Sequence, residues 1–203
     1  MLRGMVFFDY LNFDISFKKY YSNLKQPTPK IDYSKLMFNI SRLKRDTIHT
    51  KSYIFAPKPC DFLLNDPYYE NYFNWIRSLE SFKYIDVVYG RSIARPTPPT
   101  ADMDINDKST YSVTEKGTDL NLGLYALSGA FHNSYDIAFV VSGDTDYISL
   151  YSQLKNYGKL VAVVVVEGQP HKTLVPYVDD YYTLNDSFFS RCLLKPKGDC
   201  LIL

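Results

Sequence analysis

The chain has little cysteine, no long apolar run and almost no net charge, and each shortage removes a class of protein. Only Cys60, Cys192 and Cys200 occur among 203 residues. They form no CxxC pair and have no histidine at zinc-ligand spacing, which argues against a zinc ribbon or finger. An odd number at wide gaps also speaks against a disulfide framework and suits a reducing compartment. Nowhere do roughly 18 apolar residues follow one another, as a membrane-crossing helix requires. The opening MLRGMVFFDYLNFD meets charge too soon to read as a signal peptide. The expected location is cytoplasmic, with no membrane partner. Lys and Arg number 23 against 22 Asp and Glu, a net charge of +1. A basic surface for nucleic acid must therefore be local rather than chain-wide. Tryptophan is nearly absent, with one residue, whereas tyrosine reaches 19 and phenylalanine 13. Tyrosine can fill a core with its hydroxyl at the edge, or stack on unpaired bases.

What is present is an alternation of strand and helix signals over a length that suits one domain. Met5 to Phe8 is a short apolar run ending at Asp9, which reads as a buried strand. Leu36, Ile40 and Leu43 recur at helical spacing between Asp32 and Lys44. Ser52 to Ala56 reads as a strand stopped by Pro57 and Pro59, and Tyr84 to Tyr89 as a third. Asp66-Pro67 marks a helix start, with a capping carboxylate before a proline at the first helical position. Residues 91–112 read as a long loop. Helices are expected over Thr118 to Phe131 and Thr145 to Tyr157, the latter closed by Gly158. Strands are expected at Asp136 to Val141, Leu160 to Val166 and Tyr181 to Leu184, with a short helix near His171 to Val178. The class is α/β, a doubly wound parallel sheet with flanking helices. Residues 1–189 form the domain. Residues 190–203 form a tail that reads as a C-terminal hairpin around Lys195 to Asp199, either protecting a sheet edge or pairing with a second copy as a homodimer.

In parallel sheets the ligand site lies beyond the carboxyl ends of the strands. Two expected strands end in acids, Asp9 after the first and Asp144 and Asp146 in the Ser142-Gly143-Asp144-Thr145-Asp146 turn. Asp119 begins the 118–131 helix, on which Leu120, Leu124, Leu127 and Phe131 read as the core stripe. Beside it Asp119, Gly123, Ala126 and Ala130 line up as a small-residue stripe that lets the helix approach the sheet closely and turns Asp119 toward the strand ends. Four carboxylates at one end raise one another's pKa unless a cation is present, and Mg²⁺ or Mn²⁺ suits hard oxygen ligands. Such an ion would lower the pKa of a water and offset charge on a phosphate. Asn12 would add a neutral oxygen or hold a water, and Lys116 would meet a phosphate as a point charge. Lys18, Lys19, Arg91, Arg95 and Lys108 are further candidates for an RNA path. Each acid also has a structural reading: Asp144 as a helix cap, Asp9 as turn chemistry, Asp119 as compensation of a helix dipole. Their convergence at one sheet end favours a site.

Four blocks then carry a resemblance: FFDYLNF at 7–13, EKGTDLNLGLYAL at 115–127, YDIAFVVSGDTDYISLYSQLKNYGK at 135–159 and LVPYVDDYYTL at 174–184. In order and spacing the chain resembles the NYN domain family, in its LabA-like branch of the PIN-like nucleases. The resemblance implies a Rossmann-like PIN fold, Mg²⁺ or Mn²⁺ dependence and RNA cleavage. It implies metal-binding, catalytic acids at Asp9, Asp119, Asp144 and Asp146, with Asn12 and Ser142 as polar neighbours and Asp179 structural. The proline-rich stretch 94–100 and the tail depart from the family pattern. Two other readings stand beside it. One is a non-catalytic RNA- or protein-binding module. The other is a Mg²⁺-dependent phosphatase with an Asp-x-Asp turn and Asp179-Asp180, which places its Asp-x-Asp too late in the chain.

Overall fold

The computed structural model describes residues 1–99, 102–169 and 172–194. In chain order these form β1 (Leu2–Asp9), α1 (Tyr10–Asn23), α2 (Tyr33–Ile40), β2 (Thr47–Pro59), α3 (Pro67–Ser78), β3 (Ile85–Pro96), β4 (Tyr111–Lys116), α4 (Thr118–Phe131), β5 (Ile137–Val141), α5 (Ile148–Asn156), β6 (Leu160–Val166), β7 (Asp180–Leu184) and α6 (Asp186–Phe189). The strands build one seven-stranded sheet in the order β4-β3-β2-β1-β5-β6-β7. Every neighbouring pair is parallel except β3 and β4, which are antiparallel. The chain moves from β1 to one side through β2 and β3, then returns to β1's other side at β5. That reversal places a crevice beyond the carboxyl ends of β1 and β5.

Alternation along β1 distributes the core to both faces of the sheet. Val6 and Phe8 pack with α1, α2, α3 and α6 on one side, through residues such as Phe13, Leu36, Ile76 and Phe189. Met5 and Phe7 pack with Leu122 and Ala126 of α4 and Tyr151 and Leu154 of α5 on the other. No helix among the described residues is long and apolar enough to cross a membrane.

Several expectations change. The sheet is mixed rather than wholly parallel, because β3 runs on to Pro96 and the chain returns as β4, closed by a Thr97 N–H bond to the Thr110 carbonyl at 2.9 Å. The loop expected at 91–112 is thereby strand at both ends, over 91–96 and 111–112. Nor do Pro57 and Pro59 stop β2. Ser52 and Cys60, both even-numbered, donate to β3, so the odd-numbered prolines lack an N–H only on the side where β1 has already ended at Asp9. The α1 helix has no counterpart in the sequence reading. Tyr10, Phe13, Phe17 and Tyr21 do follow helical spacing and are buried, but Leu11 and the exposed Ile15 blur the stripe. Helix α2 ends at Ile40 rather than near Lys44, and a 3₁₀ turn over Val175–Tyr177 stands for the short helix expected near 171–178.

The buried face of α4 is the small stripe expected to approach the sheet, and of the four residues expected as the core stripe only Leu127 packs against the core. Leu122, Ala126 and Ala130 are buried, while Leu120 is 66% exposed and Leu124 and Phe131 are also exposed. Ala126 and Ala130 let α4 lie close on β1, β2 and β3, with Leu122 the one leucine wholly buried between helix and sheet. The start of the expected tail also belongs to the domain. Cys192 is buried, its carbonyl accepts the Asp32 N–H at 2.8 Å, and Leu193 bridges Ile31. The hairpin expected around Lys195 to Asp199 lies outside the described residues.

Candidate active site

Asp9 closes β1 and caps α1, so one carboxylate belongs to both elements. One oxygen accepts the Asn12 N–H at 3.2 Å and the other the Ser142 hydroxyl at 3.1 Å. The Ser142 oxygen accepts the Asp144 N–H at 3.2 Å, and Asp144 in turn accepts the Asp146 N–H at 3.0 Å as the cap of the 3₁₀ turn over Thr145–Tyr147. Asn12 closes the ring from α1: its side-chain oxygen accepts the Gly143 N–H at 3.0 Å and the Gln169 amide at 2.9 Å. The carboxyl ends of β1 and β5 and the segment after β6 are thus tied together. Asn12 and Ser142 spend their hydrogen bonds holding this turn.

Asp119 arrives from the opposite edge. Gly117, at φ +84°, turns the chain from β4 into α4, a backbone conformation that glycine tolerates best. Gly90 allows the close approach, since a Cβ there would stand 2.2 Å from the Thr118 hydroxyl oxygen. Asp119 then accepts the hydroxyl of buried Tyr147 at 2.9 Å. Burial, followed by the charges of Asp9 and Asp119, drives the Tyr147 phenol far above its ordinary range. It is a permanent donor among the acids.

Electrostatics mark Asp9 as the strained member. It is 6% exposed, and burial pushes its pKa up to about 6, aided by the charges of Asp119 and Glu115 and opposed by the Asn12 N–H and Ser142 hydroxyl. Glu115 on β4 is a site acid absent from the sequence reading. Its pKa is also raised, first by burial and then by Asp119. None of Asp9, Glu115, Asp119, Asp144 or Asp146 has a Lys, Arg or His partner among the described residues. No three acidic, histidine or cysteine side chains there stand close enough to enclose an ion. The donors are all oxygen, the set that suits Mg²⁺ or Mn²⁺, and Mg²⁺ keeps several waters while taking one or two carboxylates directly. The acids fit such a loosely held ion.

Cations flank the acids in a pattern that only strand register reveals. Lys58 of β2 is level with Arg91 of β3, which is level with Lys116 of β4. All three are exposed, and none has a carboxylate partner among the described residues. Like charges directly opposite one another destabilise a sheet, so the row suits a polyanion. Asp9 is level with Phe55 and Phe55 with Val88, which puts the row three residues further on, roughly 10 Å at about 3.3 Å per residue. Of the other expected contacts, Lys18 is paired with Asp14 at 2.6 Å. Asp179 and Asp180 lie at the amino end of β7, away from the site, held by Lys155 at 3.3 Å and Lys44 at 2.7 Å. That position removes the acidic pair a phosphatase would need.

A family model described as the NYN domain matches residues 3–185. A crystal structure of a protein of unknown function from Vibrio parahaemolyticus is similar over 95% of this chain and 96% of its own, at 18% identity and a TM-score of 0.53, a likeness of fold. Among curated proteins none matches the chain.

Proposed function

The chain belongs to the NYN domain family, and from that premise we propose that it is a metal-dependent ribonuclease of the PIN-like kind. On this reading the sheet is the doubly wound, Rossmann-like sheet of those nucleases, and the blocks at 7–13 and 135–159 support the LabA-like branch. The observation that carries the proposal is buried Asp9, with acids around it and no cationic side chain to offset them, beside a row of unpaired cations. Capping accounts for Asp9 and Asp144 one by one, but nothing in the stability of the fold calls for uncompensated acids beside unpaired cations, whereas hydrolysis of a phosphodiester uses both halves.

Asp9, Asp119, Asp144 and Asp146 would hold Mg²⁺ or Mn²⁺, with Glu115 added to the candidates. The ion, when bound, supplies acidification of water and offsets charge on the phosphate. The remaining work falls to the chain. Lys116, Arg91 and Lys58 hold the strand by its phosphates. Tyr147 fixes the Asp119 carboxylate, whose second oxygen can orient a water for in-line attack. Ser142 and Asn12 keep the Asp144 turn against β1.

A second reading has one observation in its favour: no three acids are already closed to ligating distance. It is an RNA-binding module without cleavage. Purified protein incubated with single-stranded RNA separates the two. The nuclease reading expects degradation with Mn²⁺ or Mg²⁺, none with chelator, and none from Asp144→Asn, which keeps the capping oxygen and removes the charge. Binding without metal-dependent cleavage supports the module, and full cleavage in chelator overturns the metal site.

A further inference from the structure

We infer that the cleft between α1 and α3, lined by Tyr10, Leu11, Tyr68, Asn71, Tyr72 and Trp75, is a subsite that stacks unpaired nucleobases of the strand whose phosphate lies at the acids. The identity of that strand rests on the ribonuclease reading; the cleft itself rests on separate observations. It has a volume of about 370 Å³. Tyr68 at its mouth is 65% exposed and Trp75 on its wall is 36% exposed. Trp75 is braced from within by Tyr10 at 5.3 Å and Tyr33 at 5.2 Å between ring centroids, and Tyr72 stands 5.7 Å from Tyr10. These rings are held before any ligand arrives, so little side-chain entropy remains to be lost on binding.

Position ties the cleft to the acids. Tyr10 is the residue after Asp9, in the turn that Asp9 caps. On the other wall, the Tyr72 hydroxyl donates to the Pro57 carbonyl at 3.1 Å, next to Lys58 of the cationic row. Lys58 itself lies 5.5 Å over the Phe73 ring of the same helix. The charges of Glu115 and Asp14 reach Tyr72 and add to the effect of its burial. A strand lying along α3 can therefore place a base in the cleft and its phosphates on the row.

The lining chooses the occupant. Leu11 is the one aliphatic side chain in it, so an aliphatic peptide or an acyl chain finds few partners, whereas flat rings offer π-faces to any base. The Asn71 side chain makes no hydrogen bond among the described residues and can address a base edge. Lys108 at the rim lies 6.0 Å over the Tyr68 ring and is shared with Asp66 at 3.9 Å, and Asp14 in the lining is paired with Lys18. Bases within a duplex hide the faces that such a cleft needs, so the ligand is a single strand.

Trp75 is the only tryptophan, so its fluorescence reports on this cleft and on the adjoining cavity that it shares with Phe17, Ile31 and Tyr33. The Tyr68 variant assigns the signal to the cleft. The full chain in chelator, which prevents metal-dependent cleavage, is titrated with an eight-nucleotide oligoadenylate, with the same strand in a duplex, and with tripolyphosphate. Quenching by the single strand is expected, with little from the duplex or the polyphosphate. Tyr68→Ala should weaken single-strand binding roughly 5- to 150-fold, the range for loss of one stacked base, without moving the melting temperature, since that ring is exposed. No quenching, equal quenching by the duplex, or unchanged affinity in Tyr68→Ala overturns the subsite. Cleavage is scored separately with Mn²⁺. Quenching without cleavage sinks the ribonuclease and leaves the cleft; cleavage without quenching does the reverse.

Discussion

Replacing Asp9 by Asn should stabilise the metal-free protein at neutral pH. The carboxyl of Asp9 has a pKa of about 6 in the fold against an ordinary 3.8. The folded state therefore binds more protons than the unfolded chain between those values, and stability falls as pH rises through that window. At about 1.4 kcal/mol per pH unit the full effect is about 3 kcal/mol, reached above pH 7. Asn can still cap α1 through its oxygen. Its amide, however, turns a donor toward the Ser142 hydroxyl, whose oxygen already accepts from Asp144. Losing that bond costs about 1 kcal/mol, so the net gain is about 2 kcal/mol. For a chain of this size that is a rise in Tm of roughly 4–8 °C. Thermal unfolding in chelator, followed by circular dichroism at pH 8 and pH 4.5, measures it. The advantage should be present at pH 8 and nearly gone at pH 4.5, where most of the wild-type penalty has been relieved by protonation. A variant less stable than wild type at pH 8, or an advantage that does not change with pH, would refute the reasoning.

On α4, Ala126→Leu should destabilise by about 1–3 kcal/mol through overpacking against the sheet, whereas Leu124→Gln should change stability by less than about 0.5 kcal/mol because the side chain is exposed. Urea denaturation of the two variants tests which face is buried. Along the cationic row, Lys58→Ala, Arg91→Ala and Lys116→Ala should each weaken single-stranded RNA binding and lower the slope of log affinity against log salt by about 0.7 per lost phosphate contact. A slope unchanged in all three removes the row from the binding path.

Much of the sheet was legible because buried strands are chemically plain. Leu160–Val166 is an unbroken apolar run and is β6. The limits of α4 were equally open, set by Gly117 and by the end of its pattern at Phe131. The buried face of α4 was legible only in part: the small stripe marked a close approach to the sheet, but hydrophobicity alone ranks leucine above alanine and wrongly made Leu120 and Leu124 core. Their exposure follows from how closely the helix lies on the sheet, which is a tertiary quantity. The same limit hid parts of the site. Asp9, Asp144 and Asp119 follow strand ends or begin helices and could be placed by topology alone. Glu115 reaches the site only because β4 folds back against β3, inside a stretch whose prolines read as a loop. Lys58 joins Arg91 and Lys116 through register, and register between β2, β3 and β4 leaves no mark in any one of their sequences.

The double duty of Asp9 and Asp144 also affects how relatives of this chain should be read. Both carboxylates cap a helical turn as well as facing the site, so on the ribonuclease reading a descendant without cleavage would still need a capping oxygen at each, and at Asp9 asparagine would serve the fold better than aspartate. A capping side chain at either position in another sequence therefore reports a sound scaffold. Glu115 and Asp146 cap nothing among the described residues, and on the same reading a lineage without cleavage could discard them freely. Those two positions, rather than the capping pair, are where such a lineage would show the widest range of replacements.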